Sequence, residues 1–199
     1  MSMAAASRHF SGWIVLALVM TGAWQTGEGL YIHAKARLAQ VLIARAWAAT
    51  RASPAPVRPW PWADTYPVAR LRVPAHGIDL YVLEGDSGRS LAFGPGHMTR
   101  TSLPGQAGNA VISAHRDTHF AFLRNLRAGE ELQVELPDAT TRRYRVRDTA
   151  VVNQHAMAIT GDTRTPTLTL VTCYPFDALL PRGPLRYVVS AEAADEEIS

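Results

Sequence analysis

Residues 68–191 consist of short runs of β-branched and alternating apolar residues, separated by Gly, Pro, Asn and Asp. Branched side chains fit a pleated sheet and the separating residues favour turns, so this pattern is typical of short strands. It predicts strands over residues 68–73, 78–83, 110–113, 131–136, 142–152, 167–172 and 185–191, and one short helix over residues 118–126. Because closure removes exposed strand edges, we expect an all-β domain that forms a closed or nearly closed barrel.

The size and charge of the chain limit what else it can be. Its 199 residues suffice for one hydrophobic core, so we expect a single folded domain. The formal net charge of +3 comes from arginines scattered along the chain, without a basic block. This distribution gives no support for binding to nucleic acid, and we predict no such partner.

Residues 1–33 have the pattern of an export or anchoring segment. Arg8 and His9 precede an apolar run over residues 10–24, which Gln25 and Glu28 follow closely. A full membrane crossing needs about 20 apolar residues, so this run is short. We interpret it as an N-terminal helical membrane anchor, and a cleaved signal peptide is the alternative.

The next segment, residues 34–67, is predicted to be a helix followed by a linker. Alanines and spaced apolar residues favour a helix over residues 34–49 that continues from the anchor. Five prolines over residues 50–67 exclude regular helix or ladder hydrogen bonding there and predict a stiff, extended connection. At the other end, residues 192–199 are interpreted as an acidic tail without an assigned function.

Cys173 is the single cysteine of the chain, so no internal disulfide can form. It follows a predicted buried strand and precedes Pro175, which places its thiol at the end of that strand and not in the core. His115 follows another predicted strand in the same way, and Arg186 begins the last strand. Thiol, imidazole and guanidinium can together perform acyl transfer, as nucleophile, proton carrier and oxyanion donor.

The stretch Thr169-Leu170-Val171-Thr172-Cys173 resembles the TLxTC signature of the sortases. His115 upstream and Arg186 downstream follow the order of the catalytic residues in that family. The residues around Cys173 and before Arg186 look most like the sortase class of Gram-negative proteobacteria. The resemblance covers residues 68–191 and implies a sortase-type β-barrel that faces the periplasm.

The resemblance also implies a reaction. Cys173 would cleave an LPxTG-like sorting signal near the C-terminus of a partner protein through a thioester, and an amine of unknown identity would resolve it. His115 would be the acid and base, and Arg186 would stabilise the oxyanion or position the signal. Arg182 lies close enough in sequence to compete with Arg186 for that role. No metal or cofactor is expected.

Three alternative functions remain open at this point. His115 and His119, spaced i and i+4, could bind zinc with Cys173 as a third ligand. A cysteine peptidase would use the same residues and release the acyl group to water. A binding module on a membrane stalk would not need the thiol at all. Asp117 could orient His115, but a helix cap is the interpretation that we adopt for it.

Overall fold

A computed structural model describes residues 3–155, 165–178 and 183–194 of the chain. The chain forms two compact units, Met1–Val41 and Leu42–Ser199. Within these described residues, the second unit contains eight strands: β1 (Pro67–Val73), β2 (Ile78–Glu84), β3 (Gly96–His97), β4 (Asn109–Ser113), β5 (Glu131–Glu135), β6 (Thr141–Asn153), β7 (Thr167–Cys173) and β8 (Leu185–Ala193).

The strands form one closed barrel in the order β1-β2-β3-β4-β7-β8-β6-β5, and β5 pairs with β1 to complete it. The predicted all-β barrel is therefore confirmed. Each of the seven predicted strands is present, with ends within two residues of the predicted ones. The strand that was not predicted is β3, which is only two residues long and so has no alternating pattern to detect.

The helical content of the second unit differs from the prediction. Residues 118–126 were expected to form a helix, but only Ala121–Asn125 do so, as a 3₁₀ helix. A second 3₁₀ helix, Pro74–His76, and a single α-helical turn, Gly88–Leu91, were not expected. All three are too short for a helical apolar period to appear in the sequence.

Strand alternation fills the barrel with apolar side chains. On β1, Ala69, Leu71 and Val73 are fully buried, and the residues between them are partly exposed. Leu168 and Leu170 on β7 point inward in the same way. The interior face of each strand thus comes from the period-two pattern that predicted the strand.

One polar group within the core has a specific partner. Tyr144 on β6 is completely buried, and its hydroxyl oxygen accepts a hydrogen bond of 2.8 Å from the backbone N–H of Gly105. Gly105 has φ +86°, and a Cβ there would lie 2.6 Å from Leu136 Cδ1. Only glycine fits this turn without strain, and this turn supplies the N–H that pairs with the buried hydroxyl of Tyr144.

One continuous helix, α1, runs from Met3 to Arg51 and includes the helix predicted over residues 34–49. Within the described part of the chain, no helix combines enough length with enough apolar character to span a membrane. The structure therefore does not support the predicted transmembrane anchor over residues 1–33.

The connection between α1 and β1 packs on the barrel without regular structure. At the end of α1, Trp47 is buried and its ring centroid lies 6.3 Å from that of Tyr81 on β2. Trp60, in the proline-rich segment, packs edge-on against Phe93 at 5.2 Å. Residues 42–67 are thus held against the barrel surface through aromatic contacts.

An ion-pair cluster also joins the end of α1 to the barrel. The buried carboxylate of Glu135 on β5 lies 3.0 Å from Arg51 and 2.7 Å from Arg72. Arg70 lies 3.8 Å from the same carboxylate and makes a bidentate pair with Asp79. Since a buried carboxylate is costly unless it is paired, these arginines make the position of Glu135 possible.

The C-terminal boundary also differs from the prediction. Glu192 and Ala193 belong to β8, opposite Arg145 and Tyr144 on β6, so the last strand extends two residues into the predicted acidic tail. Residues 195–199 of that tail lie outside the described residues.

We predict that Tyr144→Phe lowers the free energy of unfolding by about 1–3 kcal/mol, because the N–H of Gly105 would lose its buried acceptor. Urea denaturation followed by circular dichroism measures this change. Tyr31→Phe, at an exposed tyrosine of α1, is the matched control and should leave stability unchanged. Equal stability of the two variants would show that the Gly105 bond contributes nothing.

Candidate active site

The parallel pairing of β4 with β7 positions two of the predicted site residues. The last pair of this ladder is Ser113 with Val171. His115 lies two residues beyond Ser113, and Cys173 lies two residues beyond Val171. Parallel strands run in the same direction about 5 Å apart, so His115 and Cys173 occupy equivalent positions on neighbouring chain segments.

Two hydrogen bonds extend this pairing beyond the end of β4. The N–H of Ala114 donates to the carbonyl of Val171 at 3.2 Å. The buried hydroxyl of Thr172 donates to the carbonyl of Ala114 at 2.7 Å. The threonine that precedes the cysteine thus fixes the residue that precedes the histidine.

Cys173 and Arg186 form a cross-strand pair. They lie directly opposite each other in the antiparallel ladder of β7 with β8. Directly opposite residues share one face of a sheet, with their Cβ atoms about 5 Å apart. Thr172 faces the interior, so alternation turns Cys173 outward, where it is a partly exposed free thiol.

The guanidinium of Arg186 is held by three neutral acceptors. Nη1 donates to the carbonyls of Gly183 at 2.7 Å and Leu185 at 2.9 Å, and Nη2 donates to Oε1 of Gln154. These bonds use three of the five N–H donors of the side chain. Because no carboxylate is among these partners, they orient the guanidinium without cancelling its charge.

Gln154 was not predicted as a site residue. It follows β6, which pairs with β8, and its backbone N–H donates to the carbonyl of Pro184 at 2.8 Å. The sequence showed only that Gln154 comes directly after a long predicted strand. That position does not indicate that its side chain contacts Arg186. The competing residue Arg182 lies outside the described residues.

His115 is exposed and has a second histidine near it. His119 is partly buried, and this burial, together with the nearby His115, holds the pKa of His119 below its ordinary value, while Asp117 acts in the opposite direction. Asp117 is exposed and caps no helix, since the 3₁₀ helix starts after Phe120 and has no side-chain cap. The predicted capping role of Asp117 is therefore wrong.

The structure does not support the zinc alternative. Among residues 3–155, 165–178 and 183–194, no three His, Cys, Asp or Glu side chains are grouped so that they could hold a metal ion. His115, His119 and Cys173 therefore do not form a ligand set. The thiol, imidazole and guanidinium instead suit nucleophilic attack on a carbonyl, proton transfer and oxyanion stabilisation.

Comparison with known proteins agrees with this barrel. A family model described as the sortase domain matches residues 71–194. Sortase D of Bacillus subtilis (strain 168) is 30% identical over 119 residues, which amount to 60% of each chain. The present chain thus spans about 60% of the length of this curated relative.

Solved structures share the fold. Sortase C-1 from Actinomyces oris has 27% sequence identity and a TM-score of 0.58, over 76% of this chain and 98% of that one. Sortase A from Corynebacterium diphtheriae has 23% identity and a TM-score of 0.61, over 69% of this chain and 65% of that one.

The fold and the site together define a closed β-barrel protein with a cysteine-centred site on its outer face. Because the sortase model matches more than half of its residues, the chain belongs to the sortase family.

The lowered pKa of His119 predicts a pH dependence of stability. The folded state disfavours protonated His119, so stability is fully present above the ordinary histidine pKa, near 6.5, and is lost as pH falls below it. We expect wild type to lose more stability between about pH 7.5 and pH 5 than His119→Gln. Urea unfolding at both pH values measures this difference, and parallel losses in the two proteins would contradict it.

Proposed function

We propose that this protein is a cysteine transpeptidase. The observation that carries the proposal is the cross-strand pair of Cys173 with Arg186, beside the parallel strand β4, with His115 two residues beyond the end of that strand. This arrangement supplies a nucleophile, a proton carrier and a fixed positive charge on three adjacent chain segments. Membership of the sortase family supports the same chemistry.

The reaction proceeds in two acyl transfers. The thiol proton passes to His115 as Sγ of Cys173 attacks the carbonyl carbon of a peptide bond, and the resulting oxyanion accepts hydrogen bonds from the remaining N–H donors of Arg186. Collapse of this intermediate breaks the C–N bond, and the leaving amine takes that proton from His115. A second amine then attacks the thioester and gives a proton to His115. The C–S bond breaks, and the departing sulfur takes this proton back, which restores the thiol.

For the substrate, we propose a protein that carries an LPxTG-like sorting signal near its C-terminus. This assignment rests on the resemblance of residues 169–173 to the TLxTC signature. We also propose the finer placement of the chain in the Gram-negative class of sortases, which rests on the residues around Cys173 and before Arg186. The acceptor is an amine of unknown identity, since the second step must form an amide bond.

Arg186, and not Arg182, is proposed to stabilise the oxyanion. Its backbone lies in the ladder opposite Cys173, and three acceptors restrain its guanidinium. A restrained guanidinium requires little reorganisation when negative charge develops, which is the condition for effective electrostatic stabilisation.

A thioester intermediate followed by ligation is the expected result when the full-length protein meets an LPxTG peptide and an amine. Mass spectrometry should detect an adduct on Cys173 and an amine-ligated product, and both should be absent with Cys173→Ala. His115→Ala and Arg186→Lys should each slow adduct formation about a hundredfold or more, because each removes a group that acts at the reacting atoms. Arg182→Lys is the matched control and should retain activity.

The outcomes of this experiment separate the proposed transpeptidase from its alternatives. A hydrolysed peptide without any ligated product would identify a cysteine peptidase. An equal loss of activity in Arg182→Lys and Arg186→Lys would contradict the assignment of Arg186. Peptide binding that is unchanged in Cys173→Ala, without adduct in wild type, would indicate a binding module.

We also propose a location for the protein: α1 holds it at the cell inner membrane, and the barrel faces the periplasm. Large apolar side chains of α1 are more than half exposed, among them Trp13, Leu18, Val19, Met20 and Trp24. Such side chains favour a lipid environment over water.

Wild type should sediment with membranes, and protease added to spheroplasts should digest the barrel. Leu18→Lys combined with Val19→Lys should shift the protein toward the soluble fraction, because two charges oppose burial of α1 in lipid. Retention of an N-terminus at Met1 in the membrane fraction would exclude a cleaved signal peptide. Protection of the barrel in spheroplasts would contradict the periplasmic orientation.

A further inference from the structure

The segment that follows His115 reaches across to the loop that follows Cys173. Nη2 of Arg116 donates to the carbonyl of Ala178 at 2.8 Å. The guanidinium of Arg124, in the 3₁₀ helix Ala121–Asn125, lies over the ring of Phe176 at 5.0 Å from its centroid. Two arginines of the segment that follows His115 therefore contact the loop that follows Cys173, one through a hydrogen bond and one through a cation–π contact.

The ring of Phe176 belongs to a cluster of three aromatic side chains. It packs edge-on against Tyr187 at 5.2 Å and against Tyr174 at 6.2 Å, and Tyr174 stacks on Tyr187 at 6.3 Å. Tyr174 follows Cys173 directly, and Tyr187 follows Arg186 directly. Phe176 thus connects Arg124 to an aromatic cluster that includes the immediate neighbours of two site residues.

Arg124 is also restrained by a hydrogen bond within its own 3₁₀ helix. Its Nε donates to the carbonyl of Ala121 at 3.2 Å, which restrains the side chain beside the 3₁₀ helix. A guanidinium over an aromatic face combines charge–quadrupole attraction with stacking. The contact therefore has a preferred geometry that a nonspecific apolar contact lacks.

His115 needs such support. It lies beyond the end of β4, its side chain is exposed, and no described residue makes a hydrogen bond to its ring. Proton transfer requires the imidazole within hydrogen-bond reach of the thiol and the leaving amine, so a small displacement reduces the rate strongly. The backbone around His115 must therefore be fixed by its surroundings.

We propose that Arg124, through the ring of Phe176, is a positioning residue that holds the His115 segment against the Cys173 loop. Arg116 assists through the carbonyl of Ala178. Neither arginine touches the reacting atoms. The inference rests on the proposed function for its catalytic consequence, but the geometry of the thiol and the imidazole is measurable without a substrate.

The first experiment measures the alkylation of Cys173 by iodoacetamide in the full-length protein. As the single cysteine, Cys173 gives an unambiguous signal. The rate at about pH 7 relative to that at about pH 9 is determined for wild type and for His115→Ala, which defines the value without the imidazole. We expect Arg124→Gln and Phe176→Leu to move this ratio from the wild-type value toward that of His115→Ala.

Conservative and control variants make the test specific. Arg124→Lys keeps a cation and Phe176→Tyr keeps an aromatic face, so both should stay close to wild type. Arg127→Gln, at an exposed arginine of the same segment, is the matched control and should have no effect. The double variant Arg124→Gln/Phe176→Leu should resemble Phe176→Leu, because removal of the ring already removes the contact with Arg124. Circular dichroism verifies that each variant is folded.

Peptide turnover gives the second measurement. Loss of positioning should lower kcat by about threefold to tenfold in Arg124→Gln and change KM by less than about twofold. A ratio and a kcat in Arg124→Gln that match those of Arg127→Gln would overturn the proposal, as would additive effects in the double variant. If wild type turns over no peptide, the proposed function fails, whereas a changed alkylation ratio still supports the positioning role.

Discussion

The parallel pairing of β4 with β7 is the constraint on which the site depends. In the chain, 53 residues lie between Ser113, where β4 ends, and Thr167, where β7 begins. A long connection of this kind is required because a parallel pair cannot be joined by a tight turn. The pairing is fixed by its register and by the Thr172 hydroxyl that bonds to Ala114. Without this pairing, the thiol and the imidazole would not lie at one end of the barrel.

Much of the barrel could be predicted, because each longer strand buries one face and therefore shows alternation in the sequence. β7, with Leu168 and Leu170 inward, is such a strand. β3 could not be predicted, because two residues, Gly96 and His97, contain no period. The membrane anchor over residues 1–33 was predicted from an apolar run, but no helix in the described part of the chain has the length and apolar character of a membrane span.

The candidate site was predictable to the extent that its residues sit at strand ends. Cys173 and Arg186 each adjoin an apolar run, and the structure places them opposite each other. Gln154 and Phe176 could not be identified, because their roles arise from β6 lying beside β8 and from a loop folding onto the 3₁₀ helix. Such contacts between distant segments depend on tertiary arrangement and leave no local pattern.

The neutral surroundings of Arg186 have a consequence for the release of products. Its described partners are two carbonyls and one amide, so its charge persists after the reaction. Hydrolysis would leave a carboxylate at the new end of the acyl chain, and that anion would be attracted to the guanidinium. Ligation to an amine leaves an uncharged amide, which has no such attraction. In the proposed reaction, electrostatics at this position therefore retard the departure of a hydrolysed chain and let a ligated chain leave.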